Sequence, residues 1–236
     1  MEIISFVIPS LYEYKNLEYL FSKLTTLFEH NTNYIFEVNL VDGKNPDQKT
    51  MALCDKYGIN YINREPNNFF GDAIRTGLKK CNTNSKWLVI MDADGSHDPD
   101  FVNNFIQKAE QKPEIGILIA SRYIKGGSTE NNFLLIFLSR VVNLVYKIIF
   151  NLKVNDVSNN FRMYKYEIIE GLELQENNFE IVEEILIKLN YRNTNLIIEE
   201  LPFNFQKRNE GKSKRKLLPF AITFLVSIFR LKKYEK

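Results

Sequence analysis

Two aspartates one residue apart, Asp92-Ala93-Asp94, follow directly on the apolar run Val89-Ile90-Met91 and precede Gly95. At the end of a buried strand, such a pair offers hard oxygen ligands. Mg²⁺ or Mn²⁺ is typically held by one or two carboxylates together with substrate phosphates. A cation held there would neutralise the charge that develops on a nucleoside diphosphate as its bond to a transferred group breaks. Taken alone, the same residues serve equally well as a solvated acidic turn capping a helix that begins near Pro99.

Other residues suited to anion chemistry lie downstream. Arg122 and Lys125 flank the pair Gly126-Gly127, where the lack of a Cβ lets backbone approach a ligand closely. Arginine suits bidentate recognition of phosphate. Residues 207–216 hold six basic residues and one acid, so an anion is their natural partner, a solvated surface run being the plain alternative.

The elements that must position these residues follow from periodicity. Residues 3–9 form a β-branched, apolar run ended by proline, which predicts a buried strand. Further strands are predicted over residues 34–41, 59–62, 87–91 and 115–120. Helical spacing predicts helices over residues 17–28, 49–57, 70–80 and 99–111. This alternation predicts an α/β fold, a mostly parallel sheet with helices on both faces. Ligands of such sheets bind at the carboxyl ends of the strands, where Pro9-Ser10, Asp42-Gly43 and Asp92-Ala93-Asp94 all fall. The second half predicts a long helix over residues 133–150, loop and strand over 156–164, a helix over 179–189 and a strand over 196–205.

The bulk properties bound the function. A chain of 236 residues suffices for one sizeable domain. A composition 44% hydrophobic and 25% charged is that of a globular protein, and a net charge of +2 gives no global case for nucleic acid as a partner. Cys54 and Cys81, both in segments of helical pattern, form no CxxC pair and read as buried or free thiols in a reducing compartment. His30 and His97 share no recognised zinc spacing with them. The N-terminus opens into strand-like sequence without a basic leader segment, and no apolar run reaches the roughly 20 residues that span a bilayer.

In order along the chain, several motifs together resemble glycosyltransferase family 2. They begin with Phe6-Val7-Ile8-Pro9-Ser10, Glu13, Asn16-Leu17 and Val41-Asp42, then Asp92-Ala93-Asp94-Gly95-Ser96-His97-Asp98-Pro99. The segments Ser121-Arg122-Tyr123-Ile124-Lys125-Gly126-Gly127, Ser139-Arg140, Asn143, Asp156-Val157-Ser158-Asn159-Asn160-Phe161-Arg162 and residues 205–214 resemble its dolichol-phosphate mannose synthase and polyprenyl-phosphate branch. The resemblance spans nearly the whole chain.

It implies a GT-A, Rossmann-like fold over residues 1–210, with residues 211–236 as a basic and apolar tail that forms an amphipathic helix at an interface or partner. It implies inverting transfer from a GDP- or UDP-linked hexose. Pro9, Glu13, Asp42 and Asp92 would bind the nucleotide, and Asp92 and Asp94 would hold Mg²⁺ or Mn²⁺ and the diphosphate. Asp94, Arg122 and Arg208 would carry catalysis, while Lys125, Ser139, Asp156 and Lys214 would meet the acceptor or its phosphate.

Transfer to a saccharide hydroxyl needs a general base, for which Asp156, Glu180, Glu183 and Glu184 are candidates. Glu184 also reads as an ordinary helical surface glutamate. A polyprenyl phosphate, with a second pKa of about 6, is already largely anionic and needs none.

The chain departs from the family pattern at Gly43, where a second aspartate is usual, at Ser96, where the branch often has glutamine, and at Asn160, where glycine is usual. Gly43 and Ser96 motivate a rival reading as a non-catalytic nucleotide-sugar-binding subunit.

Two apolar stretches, residues 133–150 and 217–229, carry basic interruptions or flanks. They suit helices lying on an anionic leaflet, or packing on the core or on a partner subunit, homo-oligomeric or membrane-bound. The expected location is cytoplasmic, peripheral at the inner face of the membrane.

Overall fold

The computed structural model describes residues 1–206 and 226–235. The first half alternates as expected: β1 (Glu2–Pro9), α1 (Tyr14–His30), β2 (Tyr34–Asp42), α2 (Gln48–Tyr57), β3 (Asn60–Asn63), α3 (Phe70–Lys80), β4 (Ser85–Ile90), a 3₁₀ turn (Pro99–Phe101), α4 (Val102–Gln111) and β5 (Ile117–Ser121). The second half comprises β6 (Ser128–Thr129), α5 (Phe133–Ile149), β7 (Arg162–Lys165), α6 (Tyr166–Ile169), α7 (Ile181–Arg192), β8 (Ile198–Pro202) and β9 (Asn204–Phe205). Residues 226–231 are helical and run into a 3₁₀ turn (Lys232–Glu235).

Seven strands form one sheet in the order β3-β2-β1-β4-β7-β5-β8. All neighbours are parallel except β7, which runs antiparallel between β4 and β5. Because β7 reverses direction twice over, β4 and β5 point the same way. The ends of β1, β2, β4 and β5 and the start of β7 therefore share one edge of the sheet. β6 and β9 pair in a separate two-stranded ribbon.

Side chains alternate across the sheet, as a strand's period of two requires. Ile4, Phe6 and Ile8 join α1, α2 and α4 in one apolar layer, while Val7 joins α3, α5, α6 and α7 in the other. Both layers are sealed by fully buried aromatics, Phe6, Phe21, Phe105 and Phe161 on one side and Tyr146, Phe150 and Tyr164 on the other.

The described end of the expected C-terminal tail packs back on the second layer. Ile228 and Leu231 are buried, Ser227 Oγ lies 2.7 Å from Tyr146 Oη, and Arg230 pairs with Glu176 at 2.7 Å.

Cys54 lies in α2 as expected, but Cys81 is the residue after α3, in extended conformation. Both are free and buried.

Candidate functional site

The Asp92-Ala93-Asp94 turn begins two residues past β4, where Met91 N–H still donates to Val7 O of the neighbouring strand. The chain then reverses at Gly95, whose φ of 82° is the left-handed conformation glycine favours. Asp94, 5% exposed, accepts from Ser96 N–H at 3.0 Å and from the Ser96 hydroxyl at 2.5 Å. The cap of the following 3₁₀ turn is Asp98, which accepts from Asp100 N–H. Capping of that turn thus falls to Asp98 and not to Asp92 or Asp94.

His97 holds this turn in place. Asp92 N–H donates to its Nδ1 at 2.9 Å, so the ring proton sits on Nε2, which donates to Asn159 Oδ1 at 3.1 Å. Burial pushes the His97 pKa below its ordinary value, against the pull of Asp92 and Asp94. The ring stacks on Phe161 at 4.9 Å and meets Phe203 and Phe205 edge-on. Asn159 in turn donates to Ala120 O at the end of β5. Asn160, the next residue, donates from Nδ2 to Asp92 Oδ1 at 3.0 Å. The start of β7 thereby fixes the metal-ligand candidate by side chains that periodicity gave no reason to single out.

The donor set fits Mg²⁺ or Mn²⁺. Two carboxylates stand on one turn, and the buried Oδ1 of Asn160 beside them has no hydrogen-bond partner. Among the described residues no group of three or more His, Cys, Asp or Glu side chains is arranged to hold a metal ion. Two protein carboxylates is the complement expected of a hard cation that takes its other ligands from phosphates and water.

The ends of β1 and β2 carry the residues expected to meet the nucleotide. Pro9 is buried, and Glu13, the residue before α1, accepts from Asn16 Nδ2 at 3.0 Å. Asp42 is fully buried; its Oδ1 accepts Tyr12 N–H at 2.8 Å and its Oδ2 lies 3.5 Å from the Tyr61 hydroxyl.

Arg64 stitches this end of the sheet. Its buried guanidinium donates to the carbonyls of Asp42, Val41, Asn68 and Phe69. Burial lowers its pKa, with the nearby Asp42 carboxylate opposing.

The structure accounts for Gly43. A Cβ there would lie 2.5 to 2.8 Å from ring atoms of Tyr12, a residue held at φ 57° by the same loop. Tyr12 fills the room that a side chain at position 43 would need.

Arg122 follows β5 and closes on Asp156. Its backbone N–H and Nε donate to Oδ2 at 2.9 and 2.8 Å, and Nη2 donates to Oδ1 at 2.6 Å and to the Ser158 hydroxyl at 2.9 Å. Burial alone would lower the Arg122 pKa, but the Asp156 carboxylate more than reverses this and the net shift is upward. Ser139 on α5 lies 3.2 Å from Ser158 Oγ, and Ser158 N–H donates to Asn143 Oδ1. Lys125 is exposed.

Gly127 serves a different purpose from the one its sequence suggests. A Cβ there would strike Ser121 O at 2.4 Å, so the close approach is to the loop's own backbone.

Glu184 is not a surface glutamate. It is fully buried, accepts the N–H groups of Gln175 and Glu176, and pairs with Lys188 at 2.7 Å. Glu180 and Glu183 are buried beside it. Arg208 and Lys214 lie outside the described residues.

Residues 5–172 match the profile of glycosyl transferase family 2. A dolichol-phosphate mannosyltransferase of Pyrococcus furiosus is 33% identical over 239 residues, a match covering 98% of this chain and 64% of that protein. The chain thus spans under two thirds of that relative's length. A polyprenol monophosphomannose synthase of Mycolicibacterium smegmatis is 25% identical, covering 88% of this chain and 79% of that protein. Both names fall in the branch that the motifs resemble. Glucosyl-3-phosphoglycerate synthase of Mycobacterium tuberculosis, solved with Mn²⁺, uridine diphosphate and glucosyl-3-phosphoglycerate, superimposes with a TM-score of 0.69 at 15% identity, covering 96% of this chain and 80% of that one. At that identity the likeness is one of fold, the GT-A architecture expected above.

Proposed function

The chain belongs to glycosyl transferase family 2, and from that premise we propose that it transfers a hexose, with inversion, from a GDP- or UDP-linked donor to a polyprenyl phosphate. The observation that carries this reading is the Asp92–Asp94 turn, released from capping and held rigid by His97 and Asn160, on the same sheet edge as Asp42 and Arg122.

In this reading the ends of β1 and β2, with Pro9, Glu13 and Asp42, receive the nucleoside. Asp92 and Asp94 hold the divalent cation, which supplies charge neutralisation to the departing diphosphate. Support of Asp92 by His97 and Asn160, and of Asp94 by Ser96, keeps these carboxylates in place without reorganisation during the reaction, the condition under which electrostatic stabilisation is most effective.

The acceptor side favours a phosphate over a sugar hydroxyl. Two of the four carboxylates considered as bases are otherwise engaged: Asp156 grips Arg122, and Glu184 accepts two backbone N–H groups and Lys188. A lipid phosphate is already anionic at neutral pH and attacks without a base. Lys125, exposed, and the hydroxyls of Ser158 and Ser139 offer cationic and hydroxyl donors to such an anion, while the charge of Arg122 is met by Asp156.

The surface agrees with a lipid-borne acceptor. No helix among the described residues is long and apolar enough to cross a membrane. Yet α5 exposes Phe133, Leu134, Phe137, Val141, Leu144 and Ile148, a face suited to peripheral contact with a lipid leaflet. Incubation with Mn²⁺, labelled GDP- and UDP-hexoses and polyprenyl phosphate tests the proposal. Lipid-linked sugar is expected from the native chain and not from Asp94→Asn; no lipid-linked sugar with any common donor overturns it.

A further inference from the structure

Three side chains other than the aspartates crowd the Asp92–Asp94 turn, and two of them have committed their hydrogen-bond donors. Ser96 turns its hydroxyl onto Asp94 Oδ1 at 2.5 Å, and His97 uses both ring nitrogens, on Asp92 N–H and on Asn159. The third, Asn160, is half used. Its Nδ2 donates to Asp92 Oδ1 at 3.0 Å, while its Oδ1 has no partner although the residue is only 6% exposed.

The orientation of that amide follows from chemistry. An ionised carboxylate only accepts hydrogen bonds, so the –NH₂ end of Asn160 must face Asp92 and the carbonyl end must face away from it. A buried amide oxygen left without a donor costs stability, on the order of 1–3 kcal/mol. Such a cost at a site of paired carboxylates points to a ligand that satisfies the oxygen when bound. A neutral amide oxygen is also a ligand type that hard divalent cations accept alongside carboxylates.

We propose that Asn160 supplies the third protein oxygen of the metal–diphosphate site, meeting the cation held by Asp92 and Asp94 either directly or through a cation-bound water. This rests on the metal-dependent reading above and deepens it. Asn160 does two things at once: its amide N–H orients Asp92, and its carbonyl completes the cation's surroundings.

Titration of the full chain with Mn²⁺ in the presence of GDP or UDP, followed by calorimetry and by the loss of the free Mn²⁺ paramagnetic resonance signal, tests this without reference to turnover. Thermal unfolding of each variant without metal establishes that it folds. Asn160→Ala is expected to weaken Mn²⁺ binding by about 10-fold or more, the usual range for losing a supporting partner at a metal site. Binding of the nucleoside diphosphate without metal should be unchanged. Asn160→Asp keeps an oxygen while removing the N–H that Asp92 accepts, and is expected to bind Mn²⁺ at least as tightly as the native chain.

Equal Mn²⁺ affinity in Asn160→Ala and the native chain overturns the inference while leaving the metal-dependent reading standing. Weakening of Asn160→Asp to the level of Asn160→Ala also overturns it, because the N–H to Asp92 would then be all that matters. A native chain that binds no Mn²⁺ with either nucleotide sinks the metal-dependent reading itself. Should Asn160→Ala fail to fold, Asn160→Gly, which opens no new steric demand, replaces it with the same expected loss.

Discussion

Arg122 engages Asp156 through three donors at once, its backbone N–H and two guanidinium nitrogens, and it does so with the carboxylate fully buried and its own side chain 9% exposed. The pair ties the loop after β5 to the loop before β7. Removing one partner strands a charge out of water. Asp156→Ala is therefore expected to lower the unfolding free energy by about 3–5 kcal/mol, measured by urea denaturation. Arg122→Lys keeps the charge but not the planar fork, and should fall between the native chain and Asp156→Ala. A loss under about 1 kcal/mol for Asp156→Ala, the range of an exposed pair, contradicts this account.

The contact between Tyr12 and Gly43 predicts a coupling. Gly43→Ala places a methyl 2.5 Å from the Tyr12 ring. Tyr12 is 49% exposed and can swing its ring outward, so the cost is expected to stay under about 1 kcal/mol. Tyr12→Ala should remove the contact, so the double variant recovers part of the loss, with an interaction energy of about 0.5 kcal/mol. Thermal or urea unfolding of the four proteins measures it. Strictly additive effects would mean that the ring does not occupy this place.

How much of this was legible in the sequence depends on whether the cause was local. The ends of β1, β2 and β4 were legible because each apolar run stops at a residue of another kind, Pro9, Asp42 and Asp92. The parallel arrangement followed from the alternation with helices. The direction of β7 was not, since four residues, Arg162–Lys165, carry no signal of which neighbours they join or which way they run. The burial of Glu184 was hidden for a similar reason: its partners are backbone N–H groups of residues 175 and 176, folded against the helix from outside it. Asn159 and Asn160 face the Asp92 turn from more than sixty positions away. The glycine pair 126–127 was read as room for a ligand when Gly127 makes room for Ser121 O. Spacing reports periodicity well and reports long-range partners hardly at all.

The two thiols predict an alkaline limit. Burial pushes the pKa of both Cys54 and Cys81 up to about 12, whereas an unfolded thiol titrates at about 8.5. The folded value is the higher, so the folded state holds the protons more tightly. This contribution to stability is complete below about pH 8.5 and is lost as pH rises from there toward 12. Unfolding midpoints measured between pH 7 and 10 should decline on the alkaline side, and the decline should flatten in Cys54→Ala/Cys81→Ala. The same burial keeps both thiols inert toward a disulfide reagent until the protein unfolds. Rapid modification of the folded chain at pH 8 contradicts this.

The outward face of α5 predicts where the chain meets a lipid surface. Phe133, Phe137, Val141, Leu144 and Ile148 fall within an arc of about 80° at about 100° per residue, and all are exposed. Arg140 and Lys147 border that arc, Arg140 lying over the Tyr123 ring and Lys147 bonded to Asn155. No acidic residue occurs between residues 131 and 155. An apolar stripe edged by cations and free of acids is matched to an anionic leaflet, where the stripe enters the acyl boundary and the cations stay among headgroups. Phe137→Glu/Leu144→Glu replaces two large apolar side chains, each worth roughly 1.5–3 kcal/mol when fully buried. Partition onto vesicles containing anionic lipid should fall by at least about 10-fold. Because both positions are exposed, the melting temperature in solution should stay near that of the native chain. Arg140→Ala/Lys147→Ala should instead weaken binding mainly at low salt, since attraction to the surface is screened over about 10 Å at 0.1 M. Sedimentation with vesicles at two salt concentrations separates the two contributions, and unchanged partition of the glutamate variant would place the contact elsewhere on the molecule.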